Sequence, residues 1–355
     1  MFITLKFRHF IIFALIILSV FTFIFFIKSD NDTEEANSPS NTIYTENENK
    51  DFIKWVDFNV THSALTDALN LDIKTSVDES SHITMVESLA FLAARNGGNF
   101  KNYKKSDLDL LIKEFNEKKS MEELTKDLKY YDYYYNAYSA VLSGYVGYYG
   151  KESAIGDDEE TKEWLEHYGL KVFFPIAEGF GYSHYDDFGS SRTYGYARKH
   201  LGHDIMGSVG TPIVAVESGT VEVLGWNRYG GWRIGIRSFD KKRYYYYAHL
   251  RKDKPYQSGL KEGMTVNAGD VIGYLGMTGY SQKENVNNID TPHLHFGIQL
   301  IFDESQKDGN GEIWIDCLAL CNLLAENKSE VYYDKEKKEY YRKYNYYEIE
   351  NRSDT

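Results

Sequence analysis

From about residue 171 to 302 the chain is a succession of short β-prone runs separated by glycine-containing turns, and no ten-residue helical period interrupts it until about residue 315. TPIVAVESGTVEVLGW reads as strand, turn, strand. GGWRIGIRSF, DKK and RYYYYAHL read as a hairpin, and GDVIGYLG and HLHFGIQL as further strands. Without crossover helices these strands must pair mainly antiparallel. In TPHLHFGIQL, residues 291–300, alternation puts Leu294, Phe296, Ile298 and Leu300 on one face and His293, His295, Gly297 and Gln299 on the other. The first face is core. The second offers two imidazoles to a common point, although that pattern alone fits a surface strand with two incidental histidines equally well.

The chain before this region reads differently. Phe10–Ile27 is uncharged and overwhelmingly apolar, long enough to cross a bilayer with slight thinning. Lys6 and Arg8 precede it and SDNDTEE follows soon after, which predicts a signal anchor at 1–28 with a cytoplasmic N-terminus and everything else outside the cell membrane. The rival is a signal peptide and secretion after cleavage, but no small-x-small site follows the run. Residues 29–50 are polar and acidic and predict a disordered linker.

Helical signals fill residues 51–150. Thr84 and Glu87 form a capping box before MVESLAFLAAR, which stops at Asn96-Gly97-Gly98; Ser106 can cap DLDLLIKEF; and Ser120 with Glu123 forms a second box. After it, Leu124, Leu128, Tyr131, Tyr135, Tyr138, Leu142 and Tyr145 recur at spacings of four and three. Three amphipathic helices and a small helical domain are expected. Half the tyrosines of KYYDYYYNAY fall on the apolar seam, so core and interface duty outweighs sugar stacking. Residues 151–170 are expected as a connector and 171–325 as the β domain; whether the charged, tyrosine-rich tail 326–355 packs is left open. Cys317 and Cys321 read as small core residues on one helix face. A net charge of −13 argues against binding nucleic acid, which requires a basic face.

Five of the ten histidines sit in three short motifs: KHLGHD with His200, His203 and Asp204; YYAHL with His249 ending a strand; and PHLH with His293 and His295. By alternation Tyr245, Tyr247 and His249 share a face, which makes the two tyrosines candidates for lining a substrate groove.

GFGY (179–182), RKHLGHDI (198–205), GTPIVAVESGTV (210–221), YAHL (247–250), VNAGDVIGYLGMTGYS (266–281) and PHLHF (292–296), in this order, resemble the lysostaphin/LytM-type zinc endopeptidases, metallopeptidase family 23, over about residues 171–302. The resemblance implies a fold similar to the duplicated hybrid motif. It implies one Zn²⁺ per chain, held by His200, Asp204 and His295 with a fourth position open for water. His203 is a rival to His200, and the family's HxGxD spacing favours His200, with Gly202 read as the bend. His249 and His293 match the family's two non-ligand histidines; one would act as base and the other stabilise the oxyanion, with His293 leaning towards base. Tyr182 and His184, in and after GFGY, join the groove candidates. The implied activity is hydrolysis of peptidoglycan stem peptides or cross-bridges by an enzyme tethered to the bilayer through residues 10–27. The alternative is an interaction module of a membrane-spanning complex such as a sporulation channel, with the helical domain binding a protein partner. Two departures stand out: QKENVNNID (282–290) lengthens the loop before PHLH, and residue 297 is Gly where many relatives carry an acid. Both bear on which peptide enters.

Overall fold

A computed structural model describes residues 52–117, 120–155 and 158–349. The expected anchor and linker lie outside these residues, and among the described residues no helix is long and apolar enough to cross a membrane.

Helix α1, His62–Thr75, went unread in the sequence; Thr61 caps it by accepting from the Ala64 amide, and it buries Ala64, Leu65, Ala68, Leu69 and Leu71. Helix α2, Met85–Asn96, has both halves of the expected capping box and stops at Gly97 in the left-handed region. Helix α3, Lys105–Asn116, starts before Ser106, because the Asp107 carboxylate turns back to accept from the Lys104 amide at 2.9 Å. The long helix expected after Ser120 is two, α4 (Met121–Thr125) and α5 (Tyr131–Leu142). Three-residue turn bonds, Leu128 to Thr125 and Tyr131 to Leu128, replace the helical ladder between them. Tyr138 and Tyr145 are fully buried, whereas Tyr130 and Tyr135 are exposed.

The expected connector is instead part of a long hairpin, β1 (Val146–Ile155) with β2 (Asp158–Leu170). Its second strand, DEETKEWLEHYGL, has too many charges to show an apolar alternation, and its pairing comes from its neighbours. The tail packs too: β15 (Val331–Asp334) pairs with β16 (Glu339–Arg342), and β17 (Tyr346–Glu348) adds a third strand to the hairpin along β1.

The main sheet is antiparallel throughout, in keeping with the sequence pattern. Its strands are β3 (Tyr182–Tyr185), β6 (His203–Gly207), β8 (Gly219–Asn227), β9 (Gly231–Ser238), β10 (Arg243–Ala248), β11 (Thr265–Val266), β13 (His293–Leu300) and β14 (Ile313–Ile315). Their order is β11-β8-β9-β10-β13-β6-β3, with β14 beside the far end of β13. A small ribbon, β4 (Ser191–Arg192) with β5 (Arg198–Lys199), and the pair β7 (Pro212–Val214) with β12 (Val271–Tyr274) flank it. Ile205, Ile234, Ile236, Tyr245, Tyr247, Leu294, Phe296 and Ile298 are fully buried on one face. Helix α6, Leu318–Leu324, closes that core with Leu320, Leu323 and the free Cys321, beside free, buried Cys317.

One hydrophobic core runs from Val56 in the helical region to Leu324. The seam is fixed by Arg243, whose guanidinium grips Glu217 at 2.8 and 2.9 Å and donates to the Ala140 carbonyl at 2.8 Å. A buried cation is tolerated here because each neighbour satisfies it.

Candidate metal centre

Register brings the distant motifs together. His295 on β13 lies directly opposite Asp204 on β6, so both project from the face away from the core. His200 follows β5, and its amide continues that ribbon by donating to the Ser190 carbonyl at 2.8 Å. His200 Nε2 then stands 2.7 Å from His295 Nδ1 and 3.1 Å from Asp204 Oδ1, and His295 Nδ1 lies 3.0 Å from the same oxygen. Among the described residues this is the one set of three His, Cys, Asp or Glu residues arranged to hold a metal. Gly202 lies at the expected bend just before β6, and it also serves closeness. A Cβ there would stand 2.5 Å from the His295 ring.

The donor chemistry fits a zinc site. Burial opposes the charge on Asp204, but hydrogen bonds from His200 and His295 outweigh it and hold the carboxyl well below its ordinary range. Burial pushes His295 down, favouring the neutral imidazole that ligates. Behind the three donors, Asp187 Oδ1 lies 2.9 Å from His200 Nδ1, and Arg192 pairs with Asp187 and reaches within 3.5 Å of Asp204. This outer layer, with no fixed spacing from the motifs, left no trace in the sequence.

His249 and His293 flank the three donors, their rings 4.8 Å apart. His249 is in the left-handed region at φ 62°, one residue past β10, and that reversal swings its ring into the site. The expectation that Tyr245 and Tyr247 share its face therefore fails: both lie on the core face opposite Ile298 and Phe296, and their hydroxyls bond Glu217 and the Val216 amide. Tyr182 and His184 are also on the core side of β3, against Phe174 and buried His203. None of the four groove candidates lines the site. His203 faces His184 at 2.7 Å and leaves the three-donor cluster to His200.

Each flanking histidine is oriented by a carbonyl. His249 Nδ1 is 2.9 Å from the Thr278 oxygen, and His293 Nδ1 is 2.8 Å from that of Thr291. A carbonyl only accepts, so both rings donate through Nδ1 and turn Nε2 towards the site. Burial holds His249 well below the ordinary histidine range, with His293 and His295 adding to the effect. Beyond His249 stands a cluster assembled only by the fold: Tyr194, Tyr196, Tyr229 and Tyr280 around Arg198.

Residues 198–308 match the family model described as peptidase family M23. The β domain is similar to that family over this segment. The L-Ala–D-Glu endopeptidase of Bacillus subtilis (strain 168) is 36% identical over 159 residues, 44% of this chain and 47% of that protein. Lysostaphin of Staphylococcus simulans is 34% identical over 139 residues, 39% of this chain and 23% of that protein. The chain thus spans less than half the length of either relative. A solved LytM structure from Ruminococcus gnavus aligns with TM-score 0.47 and 22% identity over 78% of this chain and 91% of its own.

Within the β domain the two departures have physical explanations. The 282–290 loop is pinned as a fixed wall: Asn285 Oδ1 accepts from Trp232 Nε1 and the Asp253 amide at 2.9 Å each, and Ile289 is buried. Gly297 makes room for Trp314, whose ring a Cβ would meet at 2.7 Å.

Proposed function

We propose that this chain is a zinc endopeptidase of the bacterial cell surface that hydrolyses peptidoglycan peptides at a bond between L-alanine and D-glutamate. The carrying observation is the convergence of His200, Asp204 and His295 with two correctly oriented histidines beside them. The bond assignment leans on the B. subtilis relative, whose match runs 20 residues longer than that to lysostaphin (159 − 139). Residues 10–27 anchor the chain in the bilayer, with Lys6 and Arg8 on the cytoplasmic side and the β domain outside.

His200, Asp204 and His295 hold the metal. Bound zinc would polarise the peptide carbonyl and lower the pKa of a water molecule. His293, its Nε2 3.7 Å from Asp204 Oδ2, takes the proton from the attacking water and returns it to the leaving amine. His249, more deeply buried and fixed by Thr278, completes the pair of histidines that flank the three donors and faces the reacting carbonyl. Asp187 and Arg192 keep the ligands in place.

The test is digestion of purified peptidoglycan by the full chain, with new amino termini identified by mass spectrometry and His295→Ala run alongside. New glutamyl amino termini that vanish in the variant are expected, together with one zinc per chain. Absence of any new amine despite bound zinc would overturn the enzyme reading and favour an interaction scaffold.

A further inference from the structure

We infer that Arg198 is a carboxylate-reading residue, which recognises the free second carboxylate of the glutamyl residue on the leaving side of the cleaved bond. This rests on the bond proposed above. Glutamate has two carboxyl groups and only one can continue a chain, so a peptide cut before it carries an anion close to the scissile nitrogen. A site for that bond needs a cation beside the metal that is not already neutralised.

The two arginines of the β4–β5 ribbon differ in this respect. Arg192 is paired with Asp187 and lies near Asp204. Arg198, its ribbon partner across the register, has no carboxylate partner among the described residues. Nη1 donates to the Tyr194 carbonyl at 2.9 Å, which leaves most of the fork's five donors for a ligand. Its guanidinium carbon lies 4.6 Å from the Tyr229 ring centre, 5.6 Å from Tyr280 and 5.9 Å from Tyr196. Three rings around a half-buried guanidinium fix its position without cancelling its charge.

That position is next to the chemistry. Arg198 is two residues before His200 on one ribbon edge, so the side chains share a face at a spacing of roughly 6.5 Å. Tyr280, one wall of the cage, also touches His249, with ring centres 5.8 Å apart. Arg198 is thus close in sequence to His200 and, through Tyr280, close in space to His249. A planar fork meeting a carboxylate gives two parallel charge-assisted hydrogen bonds, stronger and more directional than a lysine would give.

The experiment uses the full chain and two synthetic peptides. One has an L-alanyl–D-glutamyl bond with the second carboxyl free; in the other that carboxyl is amidated. The wild type is expected to favour the acid by about 10- to 100-fold in kcat/KM, chiefly through KM. In Arg198→Gln the ratio should fall to near one, and Arg198→Lys should give an intermediate ratio. Thermal melting and zinc content of the variants report separately on folding and on the metal. A wild type indifferent to amidation, or a ratio that persists in Arg198→Gln, would overturn the inference, as would equal loss on both peptides, which is the mark of a packing role. Cleavage of neither peptide by a wild type that still opens peptidoglycan at another bond would instead overturn the bond assignment, and this subsite with it.

Discussion

Two histidine pairs stand on opposite faces of the same sheet, each with nitrogens 2.7 Å apart. His200 and His295 meet on the outer face, His184 and His203 on the core face. Only the first pair has a carboxylate in reach, Asp204, which accepts from both rings; among the described residues neither His184 nor His203 pairs with an acid. The inner pair lies instead against Phe174, Tyr182 and the Lys328 ammonium, which stands 4.5 Å from the Tyr182 ring. Close imidazoles alone do not make a metal site. A third donor of the right charge does, together with an outer layer to hold it and a face open to substrate. The inner pair has none of these and serves as a neutral hydrogen-bonded bridge in the core.

The sharpest way to break this comparison is to delete one histidine from each pair. His295→Ala should lose zinc binding and at least about 100-fold of activity, since even outer-layer partners of a metal are worth 10- to 100-fold. His203→Ala should keep one zinc per chain and lose stability instead. Metal analysis and thermal melts on both variants check this, and equal zinc in the two would collapse the distinction. Gly202→Ala should act almost as a ligand variant: its Cβ would strike the His295 ring and crowd the Phe296 carbonyl, so zinc affinity falls about 10- to 100-fold, with some loss of stability besides. Asp187→Asn, which removes the charge beside His200 Nδ1, should weaken zinc by about tenfold, measured by competition with a chelator.

How much of this was legible in the sequence follows from the length scale of each signal. The five site residues fall in short motifs, and the alternation of β13 correctly separated Leu294, Phe296 and Ile298 from His293 and His295. The same rule failed one residue beyond β10, because the positive φ of His249 is a single local reversal that no periodicity announces. Tyr245 and Tyr247 follow the strand register into the core, and the reversal turns His249 alone into the site. His184 and Tyr182 failed for want of a register: nothing local says which face of β3 meets β6. Asp187 and the tyrosines around Arg198 join the site only through tertiary contact. Arg198 itself was within reach, two residues before His200 on a strand edge. Helix α1 had a usable cap in Thr61, and the tail's third strand depended on a partner about two hundred residues away, Gly150 opposite Tyr347.

The smallest expected effect concerns pH and belongs to the inner pair. Burial pushes His203 down to about 4, with His184 adding to it, and burial and Lys328 push His184 down as well. The unfolded chain protonates near the ordinary value of 6.5, so between about 6.5 and 4 it binds protons that the folded chain refuses. Stability is therefore full above about pH 6.5 and declines as pH falls towards 4, by on the order of 1 kcal/mol over the first pH unit for a single such histidine. His184→Gln removes one imidazole and its repulsion from the pair, so the midpoint of urea unfolding should fall less steeply between pH 6.5 and 5.5 than in the wild type. Apo protein is the sample for this measurement, so that loss of zinc from the outer pair does not contribute. An unchanged slope in the variant would mean that the inner pair carries no proton-linked cost, and that the two pairs differ less in their electrostatics than their surroundings imply.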